Sequence, residues 1–215
     1  MTEILFYIIS LVIGYLIGSV NVSVIISNLA YKSDIRKHGS GNAGATNMAR
    51  VYGLIGGIIV LIADFGKCIL AMVIAKAIGG ERYGELCSLI SGAGCLIGHA
   101  FPLYFKFKGG KGVTVGAALV VMIEWRALLI IAVVFIIMFI ITKIVSASSI
   151  VSAMSLIIVL VGFYALQGAV NYVTIYELIL GVFASIMVVC LHHSNIRRIL
   201  DGTEKKFTYK KKTKK

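Results

Sequence analysis

Charge is the scarce commodity in this chain. Only 14% of its 215 residues are Asp, Glu, Lys or Arg, against 59% hydrophobic, and mean hydropathy is +0.97. A soluble domain carries about a quarter charged residues, so a water-facing globule is excluded and the bilayer is the natural solvent. There is one proline, Pro102, and one tryptophan, Trp125. The four cysteines (68, 87, 95 and 190) include no CxxC pair, and none has a histidine at metal-ligand spacing. They read as buried, inert thiols, which excludes a disulfide framework and a zinc module. "MTEILFYIIS" lacks the basic n-region and small-residue cleavage site of a signal peptide, so it is expected to remain as the first helix.

Long uncharged runs take the place of charge. Residues 4–31 and 144–176 contain no Asp, Glu, Lys or Arg, and each run exceeds the roughly 20 residues a membrane helix needs. The hydropathy pattern predicts an all-α integral membrane protein with seven transmembrane helices, at about 4–29, 51–78, 86–97, 112–123, 127–142, 148–166 and 176–191. The fourth is only twelve residues and needs protein around it. Residues 1–207 read as one polytopic domain, and 208–215 as a disordered basic tail.

Seven crossings put the termini on opposite faces. From Arg197 onward nine Lys or Arg face only Asp201 and Glu204, which marks the C-terminal face as cytoplasmic and the N-terminus as outside. That assignment gathers 17 of the 21 basic residues on one side. The tail suits anionic headgroups, and nucleic acid is not an expected partner. On the same face lie three polar islands: 38–50 (HGSGNAGATNMAR), 105–113 (FKFKGGKGV) and 192–199 (HHSNIRRI).

In the first island Gly39, Gly41 and Gly44 allow tight turns and close backbone approach. Ser40, Asn42, Thr46 and Asn47 supply short donors, and Arg50 supplies a planar fork matched to phosphate or carboxylate. A loop of this kind entering a helix suits an anion. The second island, with Lys108, Gly109, Gly110, Lys111 and Gly112, reads as a phosphate cradle. It is not a nucleotide P-loop, because residue 112 is Gly where a magnesium-binding Ser or Thr would stand. In the third, His192 and Asn195 are three apart on one face of a continuing helix. Asp64 and Lys67, also three apart, read as an intramembrane pair, either a functional element or, the preferred reading, a salt bridge tying the second helix to its neighbours. Two anion sites beside a lipid-accessible bundle point to a phosphorylated polar substrate meeting a lipid one. A transporter of a phosphorylated metabolite would use the same parts, but it would need polar positions through the bilayer on several helices.

The stretches GSGNAGATNMAR, GHAFPLYFKFKGGKGV and HHSNIRRILDGTEKKF closely resemble, in order and spacing, the three motifs of the bacterial acyl-phosphate:glycerol-3-phosphate acyltransferase family, PlsY. The resemblance runs to about residue 207, with Ala43 where the family usually has Pro. It implies a membrane enzyme that acylates the 1-position of glycerol 3-phosphate from an acyl phosphate to give lysophosphatidate, with no cofactor and no metal. Ser40, Arg50 and Lys111 then match essential residues, 109–112 the glycerol-phosphate loop, His192 and Asn195 the active-site pair, and Glu204 a structural acid. The family's soluble acyl-phosphate-producing enzyme is expected to dock on the basic face. The HxxxxD pattern of other glycerolipid acyltransferases is absent, so this chain performs its transfer by another route.

Overall fold

A computed structural model describes residues 2–166 and 173–207; the remainder of the neutral loop at 167–172 and the basic tail at 208–215 lie outside the described residues. Among the described residues all regular structure is helical. The elements are α1 (Glu3–Gly18), α2 (Val22–Tyr31), α3 (Ala45–Tyr52), α4 (Leu54–Ala100), α5 (Val113–Thr142), α6 (Val145–Ala165), α7 (Ile175–Leu191) and α8 (His193–Leu200). Four helical stretches are long and apolar enough to cross a membrane, and five if α7 and α8, bent by 55°, count as one.

Two of those stretches fold back on themselves. In α4 the break falls at Gly80 (φ 62°). Beyond it Ser91 Oγ donates to Ala71 O at 2.9 Å and Lys76 Nζ meets Glu85 at 2.5 Å. Residues 71 and 91 would be about 30 Å apart along a straight helix, so 54–79 and 81–100 form an antiparallel pair. In α5 the break is Glu124, whose buried carboxylate takes Arg126 Nε at 2.7 Å. Thr114 and Phe135 consequently line the same cavity. The fold-backs at Gly80 and Glu124 thus divide two long helical stretches into shorter segments, and residues 113–123 pack among the others.

Three expected boundaries differ. The first segment is interrupted at residues 19–21 because Asn21 caps α2, its Oδ1 accepting from Val24 N at 3.1 Å and Ser23 Oγ at 2.7 Å. Helix forms inside the first polar island as α3, which stops at Gly53 (φ 95°), a conformation L side chains avoid. The chain also does not continue straight through the third island. It bends at His192, which ends α7 and begins the short, charged α8.

Close packing rests on two Gly-xxx-Gly pairs. Gly14 and Gly18 of α1 lie against Ser91 and Cys95, while Gly94 and Gly98 lie against Leu11 and Tyr15. Small residues let helix backbones approach where lipid offers no hydrophobic drive. Both indices rise together, so α1 runs parallel to 81–100, and the stack of Phe6 on Tyr83 (5.6 Å) places the start of α1 beside the Gly80 turn. Cys68, Cys87 and Cys95 are buried as expected, whereas Cys190 is on the exposed side of α7. Around the core of Met72, Leu96, Leu119 and Leu160 the helices bring all three polar islands to one end of the bundle.

Candidate active site

The first island is organised around one side chain. Asn47 is fully buried. Its Nδ2 donates to His38 O and Asn42 O (both 3.0 Å) and Ile35 O (3.3 Å), while Oδ1 accepts from Ser40 N (2.9 Å). A buried amide with every group paired pins a loop in one shape. Gly39 (φ 63°) and Gly41 (φ 75°) provide the left-handed turns, and a Cβ at Gly39 would strike Asn47 Oδ1. Ser40 is held at the rim and the first turn of α3 begins at Gly44 without a side-chain cap.

Across from it, the second island is stapled to the end of α4. Gly109 N donates to Ala100 O (3.2 Å) and Gly110 N to His99 O (3.1 Å). These two amides are thus engaged within the protein, and the uncapped amides at hand belong to α5, whose N-cap is Gly112 (φ 77°). Arg36, paired with Asp34 at 2.7 Å, donates to Phe105 O (2.8 Å) and Lys108 O (3.2 Å), which joins the two loops.

The third island completes the wall. Lys111 Nζ donates to Asn195 Oδ1, and Asn195 Nδ2 donates to Glu204 Oε1 at 2.6 Å. Glu204 also takes Ser146 Oγ and Arg198 Nε, each at 2.6 Å. Burial opposes ionisation of Glu204, but the donors Ser146, Arg198 and Asn195 hold its carboxyl below the usual range. Burial pushes the Lys111 ammonium down to about 8, with Arg198 and Arg50 adding to the shift and Glu204 opposing it. His192 Nδ1–H donates to Val188 O at 2.7 Å, which leaves Nε2 as an acceptor. Burial lowers its pKa to about 4, so the ring is neutral near pH 7.

Ser40, Asn42, Thr46, Asn47, Arg50, Lys111, Gly112, His192 and Asn195 line one polar cavity of about 200 Å³. Gly39, Gly41, Lys108, Gly109 and Gly110 shape or flank the loops without lining it. Two helix N-termini converge on the cavity, through Ala45 and Thr46 of α3 and Val113 and Thr114 of α5. Their free N–H groups and positive dipole ends favour anions. An apolar cavity of about 400 Å³ continues from it, sharing Leu61, Val113, Thr114, Phe135 and Ser149, and running between Leu128, Ile131 and Leu156. Among the described residues no three of His, Cys, Asp and Glu converge as metal ligands.

Asp64 and His99 also line the polar cavity, and sequence reasoning did not place them there. Lys67 Nζ lies 2.8 Å from Asp64 Oδ1, 3.1 Å from His99 Nδ1 and 2.8 Å from Val20 O. The 64/67 spacing was visible in the sequence, but the approach of His99 arises only from the fold-back at Gly80.

A helical membrane protein with a two-ended cavity, cationic above and apolar below, belongs to the class of enzymes that join a phosphorylated polar molecule to a lipid. Comparison with known proteins narrows this. Residues 8–202 match the family model described as glycerol-3-phosphate acyltransferase. The chain is 36% identical over 213 residues to the glycerol-3-phosphate acyltransferase of Mycoplasmopsis synoviae, covering 93% of each. It also resembles two crystal structures of PlsY, an integral membrane glycerol 3-phosphate acyltransferase. For the glycerol 3-phosphate form the TM-score is 0.82 at 29% identity, covering 94% of this chain and 96% of that one. For the lysophosphatidic acid form it is 0.80 at 28% identity, with 94% and 95% covered. The chain belongs to the glycerol-3-phosphate acyltransferase family and is an integral membrane acyltransferase of the PlsY type.

Proposed function

We infer that the enzyme transfers a fatty acyl group from an acyl phosphate to the 1-hydroxyl of glycerol 3-phosphate, releasing phosphate and giving lysophosphatidate, the entry step of phospholipid synthesis. The observation that carries this reading is the continuity of the two cavities: a cationic chamber under two helix N-termini opens into an apolar channel. One phosphate of each substrate fits the chamber while the acyl chain occupies the channel. Arg50 and Lys111 hold the phosphates, and Ser40 donates to a phosphate or to the oxyanion that develops on the acyl carbonyl.

Transfer is direct. The hydroxyl oxygen attacks the acyl carbon, the C–O bond to phosphate breaks, and the electron pair leaves with the phosphate. A mixed anhydride is already activated, so positioning and charge stabilisation supply most of the catalysis. The hydroxyl proton goes to the departing phosphate. A phosphate monoester has a second pKa of about 6 and is a better proton acceptor than a histidine whose pKa is about 4. His192 instead presents a neutral Nε2 lone pair as an acceptor, and Asn195, itself held by Glu204, fixes the Lys111 ammonium. We place the polar end of the bundle at the cytoplasmic face of a bacterial plasma membrane, with seven crossings, the N-terminus outside and the C-terminus inside. The basic loops there face anionic headgroups and offer a docking face to a soluble enzyme that makes acyl phosphate.

The test is donor choice. Purified protein given glycerol 3-phosphate should form lysophosphatidate with palmitoyl phosphate, and none with palmitoyl-CoA or a palmitoyl carrier protein. Equal rates with the thioesters would overturn the donor assignment.

A further inference from the structure

The polar cavity has a third chemical character besides its cations and its apolar floor. Asp64 and His99, whose side chains are 4% and 5% exposed, line it together with Glu204. A carboxylate is a poor neighbour for phosphate. Glu204 escapes the conflict because three donors occupy it. Asp64 Oδ1 is shielded and taken by Lys67 Nζ at 2.8 Å, with His99 Nδ1 3.6 Å away, which leaves Oδ2 as the oxygen for a further donor. A buried carboxylate is stabilised where hydroxyl or amide donors reach it.

His99 has a defined tautomer. Lys67 carries donors only, so Nδ1, 3.1 Å from Lys67 Nζ, must accept, and the ring proton resides on Nε2. The backbone of His99 receives Gly110 N at 3.1 Å, and its ring fills the space a Cβ at Gly110 would need. Lys67 is itself anchored on Val20 O in the break between α1 and α2. Asp64 and His99 are therefore held close together, Oδ1 3.6 Å from Nδ1, by Lys67, the Val20 carbonyl and the Gly110 loop.

We propose that Asp64 and His99 read the secondary hydroxyl of glycerol 3-phosphate, with the Asp64 carboxylate accepting from its O–H and His99 Nε2–H donating to its oxygen. A hydroxyl offers one donor and acceptor lone pairs, the complement of this pair. The assignment puts the neutral diol at Asp64 and His99 and the phosphate at Arg50 and Lys111, which orients the 1-hydroxyl towards the acyl carbonyl. It rests on the transferase reading above, and Lys67 acts in it only as a positioning residue.

The experiment compares kcat/KM for glycerol 3-phosphate with that for 3-hydroxypropyl phosphate, which lacks the secondary hydroxyl, using palmitoyl phosphate as donor. Sites built to hydrogen-bond a hydroxyl reject analogues that lack it, and a bond to a charged partner corresponds to about 10- to 100-fold. The parent should show that preference. In His99→Phe, and in the double variant Asp64→Leu/Lys67→Met, which leaves neither an acceptor nor an unpaired charge, the ratio should collapse to within about threefold. A merely structural role would slow both acceptors by the same factor and leave the ratio intact, which overturns the inference while the transferase reading stands. A parent that shows no preference also overturns it. A parent that acylates neither compound overturns both.

Discussion

Lys111 makes the alkaline limit of this enzyme a structural prediction. An ordinary lysine titrates at about 10.4, but burial beside Arg50 and Arg198 brings Lys111 down to about 8. The ammonium is the form that attracts phosphate, so the interaction is present below about 8 and is lost as pH rises through that value. Each further unit removes about tenfold of the charged form. Accordingly, kcat/KM for glycerol 3-phosphate should drop by about tenfold from pH 8.5 to 9.5. The acid limb should follow the second ionisation of the substrate phosphate near 6. The cations and helix N-termini around the bound phosphate favour its dianion, so the limb in kcat should lie at lower pH than that in kcat/KM. Replacing Lys111 by Arg keeps a cation that stays protonated throughout this range and should abolish the alkaline limb, at reduced activity because a fork replaces a point donor to Asn195. Initial rates of lysophosphatidate formation from pH 6 to 10, corrected for spontaneous acyl phosphate hydrolysis, read this out. An alkaline limb that persists unchanged in Lys111→Arg would refute the assignment of Lys111 to the phosphate.

Three other expectations follow from the same geometry. Arg50→Lys should lower kcat/KM by about 10- to 100-fold despite the retained charge, since a point charge cannot make two parallel bonds to one phosphate; an activity equal to the parent's would count against a bidentate contact. Gly98→Ala drives a Cβ into the Tyr15 carbonyl of α1 and to 2.9 Å from Ser19 N just beyond that helix. Separating the two helices should cost about 1–3 kcal/mol, seen as a lower unfolding midpoint in detergent, and an unshifted midpoint would show that the α1 contact gives way freely. Cysteines placed at Lys37 and at Glu81, in a background without the native four, should react with impermeant reagent from opposite sides of the membrane; labelling from one side would contradict the crossing pattern.

Much of the helical layout was legible because the bilayer leaves a strong mark: uncharged runs of helical length, broken by GGERYG and by EWR, appear in the fold as segments, turns and fold-backs at Gly80 and Glu124. The interruptions that depend on one side chain were not legible. Asn21 lies in a run too apolar to suggest a cap, and the 55° bend at His192 looks in sequence like helix carrying on. The polar islands announced their residue types, but not which groups meet. Asn47 looked like one donor among several and proves to be the buried pin of its loop. The glycine amides at 109 and 110 looked free for a ligand and instead close the end of α4. His99 has no local signature, because its partners at 64 and 67 reach it only across an antiparallel helix pair.

The central claim, direct transfer between two phosphate-bearing substrates held in one chamber, is tested most directly by following the acyl group. Purified protein is incubated with radiolabelled palmitoyl phosphate, sampled under denaturing conditions, and then given glycerol 3-phosphate. The account predicts no label on the denatured protein in the first stage and label in 1-acyl-glycerol 3-phosphate in the second. A stoichiometric label on the protein that is absent in Ser40→Ala and chases into lysophosphatidate would contradict it, as would a failure of the label to reach glycerol 3-phosphate at all.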